Sequence, residues 1–130
     1  MPWVRRSNGR FSNIVQTAPS SPITLKVHSS GILSANGAEQ GVTEASPLMK
    51  FSGFIDLSEM EDGDKVVIRQ YVRVVEGGGY KLYDETEYVG RRKDSLLYIT
   101  PKVLTFGTKI TFQQTEGILK NFEYSFVKED

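Results

Sequence analysis

VVIRQYVRVV, residues 66–75, is followed by EGGG at 76–79 and by YKLYDETEYV at 80–89. In the first segment, apolar side chains recur at every second position from Val66 to Val74, apart from Gln70. Alternate residues of a strand share one face, so this spacing indicates an extended chain with one apolar side. β-Branched residues fill the segment and are disfavoured in a helix. The glycines supply the positive φ angles of a reversal, and the pattern predicts a β-hairpin.

Charge predicts how the two arms of this hairpin pair. A loop over 76–80 gives the pairs Arg73–Tyr83, Tyr71–Glu85, Arg69–Glu87 and Val67–Val89. Opposite charges then lie side by side, and each such pair contributes roughly 0.2–1 kcal/mol. A register shifted by two residues would set Arg73 opposite Lys81, so charge favours the first register. Asp84 is the exception, because it falls on the apolar face.

The polar face of the hairpin has two interpretations. It carries guanidinium groups and aromatic rings from Arg69, Tyr71, Arg73 and Tyr83. Rings can stack on a sugar, and guanidinium groups bind anions, which would make this face a ligand-binding surface. Alternating charges on a strand pair also form an ordinary solvated ladder, and that interpretation is favoured.

Composition excludes several classes of protein. The chain has 130 residues, which suits a single domain, and its sixteen basic and sixteen acidic residues cancel. No global field therefore draws it to nucleic acid or to a membrane. The lack of cysteine excludes disulfides, thiol catalysis and thiolate metal sites. No apolar run approaches the ~18 residues of a membrane span, and no signal peptide precedes the domain, so we expect a cytoplasmic or virion protein.

The sequence predicts an irregular N-terminal arm at residues 1–22, followed by a single domain at 23–130. Proline, glycine and serine interrupt any period in the arm. The arm contains three arginines, and the first acidic residue of the chain is Glu39. A basic arm can bind nucleic acid, but these arginines form no repeat, and apolar residues between them favour contact with a neighbouring subunit. The predicted subunit-contact residues are Trp3, Val4, Phe11 and Ile14.

Short strands separated by turn residues fill the rest of the chain. Alternation predicts a first strand over 23–28 and a strand from Leu48 that places Met49, Phe51, Gly53, Ile55 and Leu57 on one face. Small and polar residues over 31–41 favour a loop, with a brief strand inside it as the alternative. Further strands are predicted over 96–100, 110–115 and 122–126. The strand at 96–100 has apolar residues at odd and at even positions, which indicates that both of its faces are covered. No segment predicts an amphipathic helix. The fold class is all-β, an antiparallel β-sandwich (jelly-roll-like) or a barrel of about 7–8 strands.

No catalytic constellation emerges from the sequence. His28 is the only histidine and stands alone in an alternating strand. The acidic segment 59–64 does not have the spacing of an EF-hand and is typical of a turn. The glycine run at 77–79 joins two strands, whereas a phosphate-binding loop leads into a helix. Four acids, Asp56, Asp84, Glu85 and Glu87, are indistinguishable from surface carboxylates. We expect no enzyme activity, no metal and no cofactor.

Residues 55–127 include IDLSEMEDGDKVVIRQYVRV, YKLYDETEYVG, LYITPK, KITFQQTEG and FEYSFVKE. In the order of its strands and in its turn sequences, this part resembles small, uncharacterised β-sandwich proteins encoded among the structural genes of tailed phages and related archaeal viruses. The resemblance implies a virion accessory role, such as decoration of a capsid or tail, in a symmetric oligomer. Capsid or tail proteins would be its partners.

Two functions from different classes follow from these observations. The first is a non-enzymatic structural protein that self-associates through its N-terminal arm. The alternative is a β-sandwich module that binds carbohydrate or another ligand through Arg69, Tyr71, Arg73 and Tyr83. The two are distinguished by the mass of the particle and by binding to glycans.

Overall fold

The computed structural model describes residues 25–45, 50–100 and 106–129. The described chain forms eight β-strands and no helix. The strands are β1 (Leu25–Ser34), β2 (Gln40–Ala45), β3 (Phe51–Asp56), β4 (Lys65–Arg73), β5 (Tyr80–Val89), β6 (Leu96–Ile99), β7 (Thr108–Glu116) and β8 (Asn121–Glu129). Accordingly, the described residues contain no helix of the length and apolarity needed to cross a membrane. The arm at 1–22 lies outside the described residues.

The strands form two antiparallel sheets of four strands each. The first sheet has the order β1-β8-β3-β6, and the second sheet has the order β2-β7-β4-β5. The pairs β1–β8, β2–β7, β3–β6 and β4–β5 are nested in the sequence, as if one long hairpin centred on β4–β5 had been rolled up. This nesting with alternation between two sheets is the topology of a jelly roll. Each sheet keeps two edge strands, so the predicted sandwich is confirmed and the barrel is excluded.

The inward faces of the two sheets form one core. Predicted alternation is confirmed in β3, where Phe51 and Ile55 are buried, and in β8, where Phe122 and Phe126 are buried. The rings of Phe112 in the second sheet and Phe122 in the first lie 4.6 Å apart between centroids. Burial of such side chains supplies the main stabilisation of a chain that has no disulfides.

The central hairpin forms, but its predicted register is wrong. Arg69 pairs with Glu85, two residues from the predicted partner, and Arg73 pairs with Tyr80. The connection therefore covers residues 74–79, so the first arm ends two residues earlier and the second arm begins one residue earlier than the predicted loop over 76–80 implied. Asp84 is exposed, since β5 is an edge strand that is solvated along nearly its whole length.

A β-bulge explains why the charge argument failed. The pairing of β4 with β5 shifts between Gln70 and Tyr71, and Tyr83 is the extra residue without a partner. Without that extra residue, the observed register would place Arg73 opposite Lys81. The bulge instead sets Lys81 opposite Val72, so Arg73 and Lys81 are not paired. The alternation of apolar and polar residues does not show where such a bulge occurs.

The loop predicted over 31–41 is wrong at both ends. β1 continues to Ser34, and β2 begins at Gln40, so a connection of only five residues joins two strands in different sheets. Small polar residues in this part of the sequence were typical of a loop. They are tolerated here because β1 is an edge strand whose outer side chains are exposed. The predicted start of the next strand, at Leu48, falls outside the described residues.

Two connections at one end of the sandwich are joined by a buried ion pair. Lys120 Nζ lies 2.7 Å from Asp64 Oδ2, and the same carboxylate accepts a hydrogen bond from the backbone N–H of Glu61. Gln114 is also buried there, donating to the carbonyl oxygens of Glu116 and Ile118 and accepting from the N–H of Lys120. The β3–β4 and β7–β8 connections are thus held together by polar groups that satisfy one another.

Candidate functional site

The outer face of the second sheet carries the ligand-binding residues predicted from the sequence. Arg69 donates through Nε to Glu85 Oε2 at 2.6 Å and through Nη1 to Gln113 Oε1 at 3.0 Å. A second carboxylate, Glu39 Oε1, lies 3.6 Å from Arg69 Nη1. The hydrogen bond to Glu85 is the main reason that the pKa of Arg69 is raised above its usual value. The guanidinium is therefore already bound by groups of its own chain.

Tyr71 is engaged in the same way. Its hydroxyl donates to Glu39 Oε2 at 2.5 Å, and the hydroxyl of Thr111 donates to the same oxygen at 2.5 Å. Partial burial would raise the pKa of Glu39, but these hydrogen bonds and the charge of Arg69 outweigh it, so the pKa lies below its usual value. The hydrogen bond to Glu39 in turn raises the pKa of Tyr71.

Arg73 and Tyr83, the other two predicted residues, lie apart from each other. Arg73 stacks on the ring of Tyr80, with 4.4 Å between the guanidinium carbon and the ring centroid. Tyr83 is exposed at the bulge. The structure thus brings Arg69, Tyr71 and Arg73 onto one face, where acidic and aromatic side chains of the same protein already contact them. This arrangement is a cross-strand ladder of internal contacts, which leaves few free groups for a ligand.

The outer face of the first sheet is different, because exposed apolar side chains from several of its strands line one cleft there. A cleft of about 370 Å³ is floored by side chains from β1, β3, β6 and β8, and a second cleft of about 320 Å³ adjoins it. The two share Ile32, Asp56 and Glu123, so they form one depression. We call it the outer trough and define it by Ile32, Phe54, Asp56, Glu59, Leu96 and Glu123.

Strand pairing places these side chains together. Ile32 of β1 pairs with Glu123 of β8, and Asp56 of β3 pairs with Leu96 of β6. Phe54 stands in the middle of the sheet, opposite Ser125 on one side and Tyr98 on the other. Its ring lies 5.0 Å from that of Tyr98 between centroids, tilted by 51°. All four strands of the first sheet therefore contribute to one surface.

The outer trough combines apolar and acidic groups. Ile32 is 63% exposed, Leu96 58% and Phe54 43%. At one end lie the carboxylates of Asp56, Glu59 and Glu123, and no described residue lining the trough carries a positive charge. Asp56 also accepts a hydrogen bond from the N–H of Ser58, which fixes its side chain. Such a surface suits a partner that is both apolar and cationic.

Sequence reasoning did not identify the outer trough, although one signal pointed to it. The strand at 96–99 is apolar at both parities, which predicted cover on both faces. Within the described chain only the inner face is covered, since Leu97 and Ile99 pack against the core while Leu96 and Tyr98 are exposed. Phe54, which faces away from the predicted inner side of β3, was a second signal.

The remaining chemical candidates have structural roles. His28 Nε2 lies 2.8 Å from the carbonyl oxygen of Glu44, and its ring contacts Phe51. In the acidic segment, Glu61 and Asp64 both contact Lys120. Within 25–45, 50–100 and 106–129, no three histidine, cysteine or acidic side chains are grouped so as to hold a metal ion. The predicted subunit-contact residues, Trp3, Val4, Phe11 and Ile14, lie outside the described chain.

Comparisons of the chain with protein-family models, with curated proteins and with solved structures found no significant match.

Proposed function

We propose that the protein is a non-enzymatic structural subunit that self-associates through its N-terminal arm, in the role of a virion accessory protein that decorates a capsid or tail. The jelly roll is compatible with this role, since viral capsid proteins use it, but lectins and cupins use it as well. A fold shared by several functions does not select among them. Support must therefore come from a surface.

The observation that carries the proposal is the exposed apolar face of the first sheet. Ile32, Phe54 and Leu96 gather on one face of a small domain, with Tyr98 beside them. Scattered apolar side chains are normal on a protein surface, whereas a contiguous group marks a place where another molecule binds. The second sheet offers a contrast, because its outer face is occupied by internal ion pairs and hydrogen bonds.

Mass measurement tests the proposal. Full-length protein should give a multiple of 14.6 kDa by light scattering coupled to size exclusion. The full-length variant Trp3→Ser/Val4→Ser/Phe11→Ser/Ile14→Ser should give a smaller particle, because the apolar contacts of the arm are removed. A matched variant, Ser7→Ala/Asn8→Ala, changes the arm without removing apolar contacts and should leave the mass unchanged. Single chains in the unmodified protein, or identical masses for all three proteins, would contradict self-association through the arm.

Carbohydrate binding is a second candidate, and one observation favours it on the first sheet. Phe54, whose ring contacts that of Tyr98, lines the same cleft as Asp56 and Glu123, so that stacking on a sugar ring and hydrogen bonding to its hydroxyls are available together. A glycan array should then lose its signal with Phe54→Ala/Tyr98→Ala and keep it with Tyr71→Ala/Tyr83→Ala. The opposite result would place the ligand on the second sheet, and no signal in the unmodified protein would remove this candidate.

A further inference from the structure

We propose that the outer trough of one copy of the chain binds the N-terminal arm, residues 1–22, of a second copy. This inference rests on the proposed function, since it names the surface that receives the arm. The trough and the arm match in apolar character and in charge, and the arm is long enough to reach the trough of a neighbouring copy.

The apolar match begins with β6. A strand with apolar side chains at both parities is typical of a strand covered on both faces. Leu97 and Ile99 are covered by the core, but Leu96 on the other face is 58% exposed. The arm contains apolar residues that need a partner surface, namely Trp3, Val4, Phe11, Ile14 and Val15. Burying them in the trough would remove apolar area of both surfaces from water.

The charge match is independent of the apolar one. Residues 1–22 contain Arg5, Arg6 and Arg10 and no acidic residue. The trough contributes Asp56, Glu59 and Glu123 without a positive charge among its described lining. Several carboxylates elsewhere on the described surface are held by basic side chains, as Glu85 is by Arg69, whereas the trough places three carboxylates near one another without a basic side chain among its described lining. Arginines of an arm would find their partners there.

The direction of β1 favours binding of the arm to the trough of a second copy over binding to the trough of its own domain. The residues before β1 join the domain at Leu25, whereas the trough lies at Ile32, roughly 23 Å further along the strand at 3.3 Å per residue. An arm that bound its own trough would have to reverse at Leu25 and run back along the sheet. An arm that keeps the direction of β1 leads away from its domain, and twenty-two extended residues span up to about 75 Å, which is enough to reach a neighbour.

Trp3 makes the binding measurable in the intact chain. It is the only tryptophan, so tryptophan fluorescence reports the arm alone. Bound to the trough, the indole should emit at shorter wavelength than in water, and dilution should shift the emission to longer wavelength as the mass falls. Leu96→Ser should weaken this association about tenfold, as expected for loss of a central apolar contact. Leu82→Ser, at a position of similar exposure (54%) on the second sheet, is the matched control and should have no effect.

Charge exchange tests the acidic end. Glu59→Lys/Glu123→Lys and, separately, Arg5→Glu/Arg10→Glu should each weaken the association, because like charges then face each other. Combining all four substitutions in one chain should restore it, since every arm again meets a trough of opposite charge. Glu76→Lys, in the exposed β4–β5 loop, controls for net charge and should leave mass and emission unchanged.

The outcomes separate this inference from the proposed function. An arm-dependent oligomer whose mass and emission are insensitive to Leu96→Ser and to the charge variants would overturn the inference and leave the structural role in place. A single chain with short-wavelength emission that responds to the trough variants would show binding within one copy and overturn the second-copy arrangement. A single chain with water-exposed Trp3 would overturn both.

Discussion

Lys120 Nζ lies 2.7 Å from Asp64 Oδ2, and this contact joins the β7–β8 connection to the β3–β4 connection across one end of the sandwich. Asp64 is only 2% exposed, so its charge is stabilised by the protein and not by water. Burial would raise the pKa of Asp64, but the hydrogen bonds from Lys120 and from the N–H of Glu61 outweigh burial and hold that pKa below its usual value. The same contact raises the pKa of Lys120.

We predict that Asp64→Asn lowers the free energy of unfolding by about 2–3 kcal/mol at pH 7, since it removes a charge-assisted hydrogen bond to a buried carboxylate. The pKa of Asp64 is lower in the folded than in the unfolded protein. Its contribution is therefore complete above about pH 4 and declines as the pH falls through the folded value. Urea unfolding at pH 7 and pH 3 should show a difference between the two proteins that narrows in acid.

Asp62→Asn is the control for this prediction. Asp62 lies in the same connection but is exposed, so its substitution should change the free energy of unfolding by less than about 0.5 kcal/mol. A difference between Asp64→Asn and the unmodified protein that stays constant from pH 7 to pH 3 would show that the ionised carboxylate is not the source of the stability.

Gly53 allows a close approach of β3 to β8. A Cβ atom at this position would lie 2.1 Å from the carbonyl oxygen of Ser125 and 2.7 Å from the Cα atom of Phe126. We predict that Gly53→Ala costs about 1–3 kcal/mol, because the strands must separate within a packed sheet. Gly41→Ala is the matched control, since Gly41 is also in a strand but has open space around it, and thermal unfolding should show little change there. Equal stability of the two variants would contradict the close approach.

The sequence predicts the strands and the inner faces of β3, β4 and β8, because period-two alternation depends only on which side of one strand is buried. In β1, an edge strand, the alternating Leu25 and Val27 are exposed. The sequence predicts register poorly, as the bulge at Tyr83 shows. Opposed charges favoured one pairing by tenths of a kilocalorie, whereas contacts of β4 with β7 on its other side also determine where β4 lies. The nested pairs β1–β8 and β2–β7 join residues about a hundred positions and about seventy positions apart, and local patterns carry no information on them.

The internal contacts of the predicted ligand-binding residues could not be read from the sequence for a related reason. Arginine and tyrosine side chains on β4 suggested free ligand-binding groups, yet the partners that occupy them, Glu39 and Gln113, come from distant parts of the sequence. The outer trough is built from four strands that the fold brings together, and its signal in any single strand is weak. The double-sided apolar pattern around Leu96 and the outward-facing Phe54 of β3 were the two signals of that surface.

We predict that Tyr71→Phe raises the pKa of Glu39 toward its usual value of 4.5, because the phenol no longer donates to the carboxylate. Thr111 and Arg69 remain, so the pKa should stay below that value. Carbon-13 NMR of the glutamate carboxyl groups as a function of pH measures the change directly. Tyr83→Phe removes an exposed hydroxyl at the bulge and should leave the Glu39 titration unchanged; a shift of equal size in both variants would point to a general effect on the sheet.

Gln114 provides the sharpest test of the polar contacts in the β7–β8 connection. Its side-chain nitrogen donates to the carbonyl oxygens of Glu116 at 3.1 Å and Ile118 at 2.9 Å. In Gln114→Glu an oxygen replaces this donor, so that an ionised, buried carboxylate faces two carbonyl oxygens. We predict a loss of about 2–4 kcal/mol at pH 7.

The pKa of the carboxyl introduced by Gln114→Glu is shifted in the opposite direction to the pKa of Asp64. Repulsion and burial raise the pKa of the introduced carboxyl in the folded protein, so the loss is present at neutral pH and diminishes as the pH falls through the raised value, where the protonated group donates again. The difference from the unmodified protein in urea unfolding should therefore be smaller at pH 4 than at pH 7. Gln113→Glu is the control, since it also loses a donor to a carbonyl oxygen, that of Gly37, but at a more exposed position where the introduced carboxylate faces Arg69, so it should cost less at either pH. A loss for Gln114→Glu that does not change with pH would mean that the cost comes from packing and not from the missing donor.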